Sequence, residues 1–508
     1  MRNQYFDVLK AIAIIAVVLY HLGTCEYGYL GVDIFLVIAG YFTSQSIEKQ
    51  IANGKGCLLF AINRLFRLLP LLLLAGVVCL GWGWMLMLPD DFENTAQSIV
   101  ATIGIASLVA YLLEKNAASK FYFLPYRLYE FCAGGLMFYL FGKKQATTSK
   151  NVWATVGFLI AYLAIIALLF VDAEYVSRPV KLLATVGLTS ALCVLMPRVE
   201  LVQGKVFSNQ WIAAIGAASF SIFVWHQVVL ALIRYSFTSN LTEVFTLLTF
   251  VGITAVLSVL SFKYVEKTKL AWVLTGLLLI LTTGASFYIY KNAGVVRDVP
   301  ELEVVKANVH RGMWAEYCDR GYQYDKEFSD SDKPKWYVIG NSFGRDMVNI
   351  ILESEMADIV EISYSYTTEY MDKDDRFSSA DVVFLSNLGV DDEIIEDVRS
   401  RCFENTRFFV IGEKNFGENN GQVYRHRFES DYHQLTVEME EGYAEKNDRL
   451  KTQYADCFID MIALVQKPDG KVPVFSADGR FISQDCRHLT KAGAQMYAKK
   501  IDWLRITE

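Results

Sequence analysis

The chain has 508 residues, 53% of them hydrophobic, and is longer than one ordinary domain. Residues 1–298 hold 22 Lys and Arg against 15 Asp and Glu, whereas residues 299–508 hold 26 against 40, so the net charges are +7 and −14. This division predicts a membrane body with cationic loops, followed by an acidic soluble domain without a basic stripe. Such a domain argues against nucleic acid as a partner. The sequence has no CxxC or HExxH pattern, so we expect no metal site.

The first part contains about ten apolar stretches that are long enough to cross a bilayer. They cover residues 6–22, 28–47, 68–88, 96–113, 121–141, 152–171, 180–196, 211–233, 241–262 and 272–290. The first stretch leads into the second without a small-residue cleavage site. It is therefore predicted to be a transmembrane helix and not a cleaved signal peptide.

Short cationic loops orient these stretches, because they favour the cytoplasmic side. The rule puts the N-terminus inside, the acidic turn 89–93 outside and residues 299–508 outside. Ten crossings from an inside start would leave residues 299–508 inside, which contradicts the side predicted from loop charge. The conflict is confined to residues 89–121. Either 96–113 does not fully cross the membrane, or a crossing is missing from that stretch.

Two histidines lie at membrane depth, where polar side chains are costly and mostly functional. His21 is at the outer end of the first stretch, and His226 is in the middle of the stretch 211–233. A histidine can act as a base or as a transient acyl carrier. The alternatives are contact with lipid headgroups for His21 and hydrogen-bonded packing for His226.

Two further pairs of charged residues have helical spacing. Arg64 and Arg67, on the inner side, offer two guanidinium groups to an anionic ligand, or else flank the membrane as ordinary cationic residues. Arg127 and Glu130 share a helix face at the start of 121–141. Their pairing is either a structural ion pair inside the bundle or part of a functional polar site.

Six short motifs follow one another through residues 1–270. They are Asp7-Val-Leu-Lys10 with His21, Gly31-Val-Asp33-Ile-Phe35, Ala39-Gly40-Tyr41, Arg64-Leu-Phe-Arg67-Leu-Leu-Pro70, Phe123-Leu-Pro-Tyr-Arg127-Leu-Tyr-Glu130, and Ser219-Phe-Ser221 through His226. Together they resemble the acyltransferase-3 family of membrane acyltransferases. The resemblance implies transfer of an acetyl group from cytoplasmic acetyl-CoA to a cell-surface glycan. It implies a catalytic role for His21 and donor binding by Arg64 and Arg67.

The chain departs from the family pattern at several positions. Lys10 and Ala39 replace the usual Arg and Ser, and Gln227 and Val228 follow His226. Similar family members carry a tryptophan-serine-leucine/acidic segment between spans three and five. This segment is not found here. This gap falls within residues 89–121, where the count of crossings also fails.

The second part alternates short apolar runs with helical stretches. Apolar runs at 336–339, 381–385 and 407–412 each end in a polar turn and predict parallel strands. Helical character runs from Phe343 through Leu352, and further helical stretches are predicted at 391–402, 438–452 and 490–504. This alternation predicts a layered α/β domain with a parallel sheet.

Ser342 stands where the first strand turns into a helix, a place that displays a nucleophile beside backbone N–H groups. Asp485 and His488 precede the last predicted helix, three residues apart. His488 is predicted to deprotonate Ser342, and Asp485 to orient the imidazole. Gly389 and Asn415 follow strand ends and are predicted to help hold an oxyanion. The Gly-Asn-Ser sequence alone also fits an ordinary helix N-cap.

The second part resembles the SGNH hydrolase-like domain that many acyltransferase-3 proteins carry at the C-terminus. Ser342, Gly389, Asn415 and His488 stand at its four signature positions, and Asn341 replaces the commoner Asp. The predicted domains are therefore a transmembrane domain at 1–292, the exit of the last helix with a linker at 293–333, and an extracytoplasmic SGNH-like domain at 334–508.

These observations predict a multi-pass O-acetyltransferase of the cytoplasmic membrane. Its expected partners are the bilayer, acetyl-CoA as donor and a surface or exported polysaccharide as acceptor, with no tightly bound cofactor. Two alternatives stay open. One is a membrane-anchored carbohydrate acetylesterase, and the other is a non-catalytic transporter of acylated glycan or lipid.

Overall fold

The computed structural model describes residues 4–53, 57–103, 128–141, 152–170, 176–196, 199, 209–237, 243–268, 270–366, 374–386, 389 and 391–508. The chain forms two compact units. The helical unit comprises Met1–Gly81, Gln97–Arg234 and Asn240–Ala285. The sheet unit comprises Trp82–Ala96, Tyr235–Ser239 and Ser286–Glu508.

Apolar helices make up the described residues up to Lys291. In chain order they are α1 (Gln4–His21), α2 (Leu30–Ala52), α3 (Cys57–Leu86), α4 (Pro89–Ile103), α5 (Leu128–Phe141), α6 (Val152–Leu168), α7 (Arg178–Leu195), α8 (Gln210–Ala217), α9 (Ser219–Ser236), α10 (Val244–Tyr264) and α11 (Ala271–Lys291). Helices suit a membrane interior because lipid offers no hydrogen-bond partners for backbone N–H and C=O groups, and a helix pairs these groups with one another.

Five of the described helices are long and apolar enough to cross a bilayer: α2, the Phe66–Leu86 part of α3, α7, α10 and α11. Helices α8 and α9 meet at a bend of 69° and together would count as a sixth. Each of the ten predicted stretches coincides at least in part with a helix. The described part of 96–113 ends at Ile103, and that of 121–141 begins at Leu128.

Two glycines allow helices α2 and α5 to pack backbone against backbone. A Cβ atom added to Gly40 would lie 1.9 Å from the carbonyl oxygen of Phe131, and one added to Gly134 would lie 1.9 Å from that of Val37. Small residues permit such close approach between membrane helices. Gly40 belongs to one of the family-like motifs, and its role here is to pack α2 against α5.

The sheet unit is built on five parallel strands in the order β2-β1-β3-β4-β6. They are β1 (Lys335–Ile339), β2 (Glu361–Ser365), β3 (Val382–Leu385), β4 (Arg407–Ile411) and β6 (Phe458–Ile459). Two short strands, β5 (Thr436–Val437) and β7 (Val472–Pro473), form a separate antiparallel pair. Both faces of the main sheet are covered, and its central strands therefore read as continuous apolar runs.

Helices precede, connect and follow these strands. They are α12 (Met313–Asp319), α13 (Ser342–Leu352), α14 (Arg376–Ser379), α15 (Asp392–Arg401), α16 (Asn420–Tyr424), α17 (Tyr443–Gln453), α18 (Lys491–Ala498) and α19 (Trp503–Thr507). The structure confirms the predicted fold class, an apolar helical part followed by an α/β domain with a parallel sheet. The stretch predicted as one helix at 490–504 is two helices, separated at residues 499–502.

The sheet unit also includes the ends of membrane helices. Arg297, just after α11, donates hydrogen bonds to the carbonyl oxygens of Trp84 and Met87, where α3 ends. A cation at this position is favourable because the last carbonyls of a helix carry partial negative charge. Leu88 is buried in one cluster with Val299, together with Val423, Tyr424, Tyr432, Val474, Phe475 and Phe481.

Gly493 provides a test of this packing. A Cβ atom added to Gly493 would lie 2.0 Å from the carbonyl oxygen of Ile482, so Gly493→Ala forces α18 away from the chain beneath it. We expect the substitution to destabilise the sheet unit by about 2 kcal/mol. Thermal denaturation of the purified full chain would then show a midpoint lower by about 5 °C.

Gly321→Ala is the matched control, because its added Cβ would meet Arg345 at ordinary contact distances of 3.4–3.5 Å. Equal midpoints for the two variants would contradict the proposed close contact at Gly493.

Candidate active site

Ser342 is the first residue of helix α13 and follows strand β1 after a two-residue turn. Asn341 caps the helix, with its side-chain oxygen accepting a hydrogen bond from the Phe343 N–H at 3.1 Å. The Tyr364 hydroxyl, from the neighbouring strand β2, donates to the carbonyl oxygens of Gly340 and Asn341. The turn is thus held from both sides. It lies between β1 and β3, where the strand order reverses and open α/β sheets form their sites.

His488 and Asp485 complete a chain of hydrogen bonds with Ser342. Nε2 of His488 is 2.6 Å from Ser342 Oγ, and Nδ1 is 2.6 Å from Asp485 Oδ2. A carboxylate only accepts hydrogen bonds, so Nδ1 carries the proton and Nε2 is left to accept from the serine hydroxyl. The structure therefore brings together three of the predicted residues in the order that base-assisted attack on a carbonyl requires.

Asp485 is held as a carboxylate. Partial burial alone would raise its pKa, but the hydrogen bond and charge of His488, with the N–H groups of His488 and Arg487, lower the pKa to about 2. The carboxyl group therefore stabilises the fold above its ordinary pKa of 3.8, and this contribution is lost as the pH falls towards 2.

Asn420, on helix α16, clamps the loop that carries Asp485 and His488. Its amide nitrogen donates to the carbonyl oxygens of Ser483 and Gln484, at 2.9 and 3.0 Å, and its oxygen accepts from the Cys486 thiol. Cys486 has a φ of +70°, an uncommon conformation for a residue other than glycine. Asn420 is not among the residues predicted from the sequence, because nothing in its local sequence marks it.

Two acidic residues of the turn 89–93 also lie near Asp485. Partial burial and the charges of Asp91, Glu93 and Asp485 raise the pKa of Asp90 to about 6. Asp91 accepts a hydrogen bond of 2.9 Å from the Tyr235 hydroxyl, which in turn accepts one from the Leu88 N–H. The sequence predicts residues 89–93 to be an outside turn, whereas the structure shows them as the start of helix α4.

Gly389 and Asn415, the predicted oxyanion donors, direct their hydrogen bonds elsewhere. The Gly389 N–H donates to Glu413 Oε1 at 2.9 Å, and Glu413 also pairs with Lys446. The Asn415 amide nitrogen, the group that would face an oxyanion, lies 3.5 Å from Glu440 Oε2, and the amide oxygen accepts from the N–H groups of Gly417 and Glu440. Gly389 would have to exchange its bond with Glu413 to hold an oxyanion, and the oxyanion role of both residues stays a prediction.

The helical unit brings its two predicted histidines together. The rings of His21 and His226 have centroids 5.3 Å apart. His226 is fully buried, and its Nδ1 lies 3.0 Å from the Ile222 carbonyl oxygen, so Nδ1 carries the proton. Gln227 Nε2 is 2.6 Å from His21 Nε2. In the sequence Gln227 is only a departure from the family pattern, whereas in the structure it is a direct partner of His21.

The other charged candidates of the helical unit are described only in part. Arg64 and Arg67 both lie in α3, which puts them on one helix face, and Arg67 is exposed. The side chain of Arg64 is outside the described residues. Glu130 is fully buried in α5, whereas Arg127 is outside the described residues, so their pairing stays a prediction.

Comparison with curated proteins finds several related sequences. The chain is 34% identical over 110 residues to the "Putative membrane-bound transacylase BcsY" of Komagataeibacter xylinus, which is 22% of this chain and 28% of that protein. It is 32% identical over 140 residues to a "Putative O-acetyltransferase" of Staphylococcus aureus strain COL, 27% of this chain and 23% of that protein. It is 28% identical over 193 residues to the "Peptidoglycan O-acetyltransferase OatA" of Listeria monocytogenes, 37% of this chain and 28% of that protein.

The chain thus spans less than a third of the length of these relatives, and no solved structure matches it. A family model described as an acyltransferase domain matches residues 3–93 and 92–291, more than half of the chain. The two matched pieces meet inside 89–121, the stretch where a family segment was not found. On this match, the chain belongs to the acyltransferase-3 family of membrane acyltransferases.

Proposed function

We propose that the protein is a membrane O-acetyltransferase that moves an acetyl group from cytoplasmic acetyl-CoA to a hydroxyl of a cell-surface or exported polysaccharide. The observation that carries this proposal is the hydrogen-bonded chain of Ser342, His488 and Asp485 in a member of an acyltransferase family. The Listeria relative is named for the acetylation of peptidoglycan, and for this chain we propose only a polysaccharide acceptor.

In the sheet unit, Ser342 accepts the acetyl group before the sugar does. Its Oγ forms an ester bond to the acetyl carbon as the bond from that carbon to its carrier breaks. The hydroxyl proton moves to His488 Nε2, which lies 2.6 Å away, and from there to the departing carrier. The charge of Asp485 stabilises the imidazolium that forms between these two transfers.

The acceptor sugar then takes the acetyl group. Its hydroxyl loses a proton to His488 and attacks the acetyl carbon, the ester bond to Ser342 breaks, and His488 returns the proton to Ser342 Oγ. The enzyme is restored, and no water is consumed. A water molecule in place of the sugar would give hydrolysis, so the acceptor must reach the ester before water does.

Loop charge and the content of the sheet unit support the proposed sides of the membrane. That unit contains residues 82–96, 235–239 and everything after 286. The acidic turn 89–93 and the C-terminal domain are both predicted to lie outside by the positive-inside rule. Their presence in one compact unit supports a common side for them, and we propose that it is the extracytoplasmic side of the cell membrane.

The acetyl donor is proposed to bind on the opposite side, beside Arg64 and Arg67. Both arginines occupy one face of α3, where two guanidinium groups suit the phosphates of acetyl-CoA. His21 then carries or activates the acetyl group within the helical unit. Its neighbours His226 and Gln227 fix the orientation of the imidazole through ring contact and a hydrogen bond.

The proposal predicts the acetate content of the cell-surface polysaccharide. In cells that produce Ser342→Ala or His21→Ala protein, we expect ester-linked acetate to fall by at least about tenfold, because each variant lacks a group that the transfer needs. Acetate released by mild alkali and measured by ion chromatography gives the answer, normalised to the amount of protein in the membrane fraction.

Ser378→Ala and His310→Ala serve as matched controls, since both residues are exposed and lie outside the candidate sites. Acetylation at the level of the unaltered protein in both Ser342→Ala and His21→Ala cells would refute the proposal. A rise in acetate with Ser342→Ala would instead identify an esterase.

The role of Asp485 gives a second prediction. Asp485→Asn removes the charge that stabilises the imidazolium and allows the wrong tautomer of His488, so Ser342 becomes a poorer nucleophile. We expect the full chain in detergent to react with a fluorophosphonate probe at Ser342 about 10²-fold more slowly or worse. Asp478→Asn, an exposed residue, should react like the unaltered protein. Equal rates for Asp485→Asn and the unaltered protein would exclude a triad.

A further inference from the structure

A buried ion pair lies next to the triad and takes no part in the proposed reaction. Lys414 Nζ is 2.8 Å from Asp346 Oδ2, and the two side chains are only 4% and 2% exposed. Removing two charges from water is costly, and many buried ion pairs are no more stable than apolar residues of the same volume. Stability alone therefore does not account for this pair.

The Asp346 carboxylate joins three segments that carry active-site residues. It lies one helical turn after Ser342 in α13, and it accepts a hydrogen bond of 3.1 Å from the Leu489 N–H, the residue after His488. Its partner Lys414 follows strand β4 and precedes Asn415. One side chain thus connects the nucleophile's helix, the loop of the base and the end of a third strand.

Lys414 approaches the triad by a second route. Its ammonium group lies 3.9 Å from the centroid of the Phe343 ring, and that ring contacts the His488 imidazole edge to face at 5.9 Å. An ammonium group over an aromatic ring is attracted by the ring's negative face. Phe343 therefore lies in contact with both Lys414 and His488.

Among the described residues, Lys414 is the cation that forms an ion pair with Asp346. Two ionisable side chains of neighbouring elements also interact with Asp346, namely Cys318, from α12, and Tyr497, from α18. Burial raises the pKa of Cys318 to about 12 and that of Tyr497 far above its ordinary value, so both stay neutral. The charged groups near His488 are Asp485, with which it shares a hydrogen bond, and Arg487, its neighbour in the chain. Asp90 and Asp91 interact in turn with the charge of Asp485.

We propose that Asp346 and Lys414 are positioning residues for the triad. Asp346 holds the loop of His488 against the helix of Ser342, and Lys414 cancels the charge of Asp346 so that Asp485 alone stabilises the imidazolium. The catalytic consequence rests on the proposed function, but the arrangement of charges does not. Without Lys414, the uncompensated Asp346 carboxylate would keep the proton on His488 to a higher pH, and less of the imidazole would be free to act as a base.

The test uses the full chain in detergent and a fluorophosphonate probe, with the rate of Ser342 labelling followed against pH. In Lys414→Met, the Asp346 carboxyl group loses its counter-ion and keeps the Leu489 N–H as its hydrogen-bond partner. We expect the acid-side midpoint of the labelling rate to move upward by about one pH unit. In the double variant Asp346→Asn with Lys414→Met, both charges are gone, and the midpoint should return to that of the unaltered protein.

Two further variants separate charge from packing. Lys414→Gln can still hydrogen-bond to Asp346 but has no charge, so it should shift the midpoint as Lys414→Met does, even if the methionine variant does not fold. Lys451→Met is the control, because it removes the lysine of a more exposed pair with Asp460. It should leave the midpoint unchanged. A role in packing alone would lower thermal stability without moving any midpoint.

A second measurement distinguishes failure of this inference from failure of the proposed function. Histidines labelled with ¹³C at Cε1 give one ring signal each, and the His488 signal is the one missing from the His488→Gln spectrum. Its titration midpoint should rise in Lys414→Gln and return in the double variant. If Ser342 does not react but this pattern holds, only the proposed function fails. An unchanged midpoint in the lysine variants, or no return in the double variant, overturns the inference.

Discussion

The hydrogen bond of 2.6 Å between Ser342 and His488 joins residues 146 positions apart, and much of the sheet unit serves to keep them in contact. Parallel strand order puts the turn after β1 at the edge where strand ends meet. Asn341 and Tyr364 fix that turn, and Asn420 fixes the opposing loop. These contacts restrain backbone groups on both sides of the bond, and a displacement of either side by about an ångström would break it.

The charges around Ser342, His488 and Asp485 bear on whether acetyl-CoA itself could approach Ser342 from solution. Glu413 and Glu440 are paired with Lys446 and Arg487, but Asp90 and Asp91 add negative charge next to Asp485. Such a field opposes the approach of a polyanion such as acetyl-CoA from solution. A neutral sugar hydroxyl meets no such barrier. The local electrostatics thus agree with a scheme in which the acetyl group reaches Ser342 without its nucleotide.

Apolar runs and short residue spacings predicted those parts of the protein that such local sequence patterns determine. The central strands β1, β3 and β4 are buried on both faces and read as apolar runs, and the spacing of Asp485 and His488 marked them as a pair. Strand β2 was missed because Glu361-Ile-Ser-Tyr-Ser365 has no apolar run, although the folded sheet buries most of it. Asn420, Asp346 and Lys414 were missed for another reason. Their roles arise from contacts with residues 63 or more positions away, which a single sequence does not reveal.

The buried cluster around Leu88 and Val299 bears on where the second domain begins. Tyr235 packs against Gly421, where an added Cβ would lie 2.3 Å from its ring, and Arg425 binds the carbonyl oxygens of Ser236 and Phe237. A fragment starting at residue 299 would lack Leu88, Tyr235 and Arg297, and would expose apolar surface to water. The domain is therefore not an interchangeable module: its compact unit includes the ends of the membrane helices α3, α9 and α11, and exchange between family members would have to carry those helix ends along.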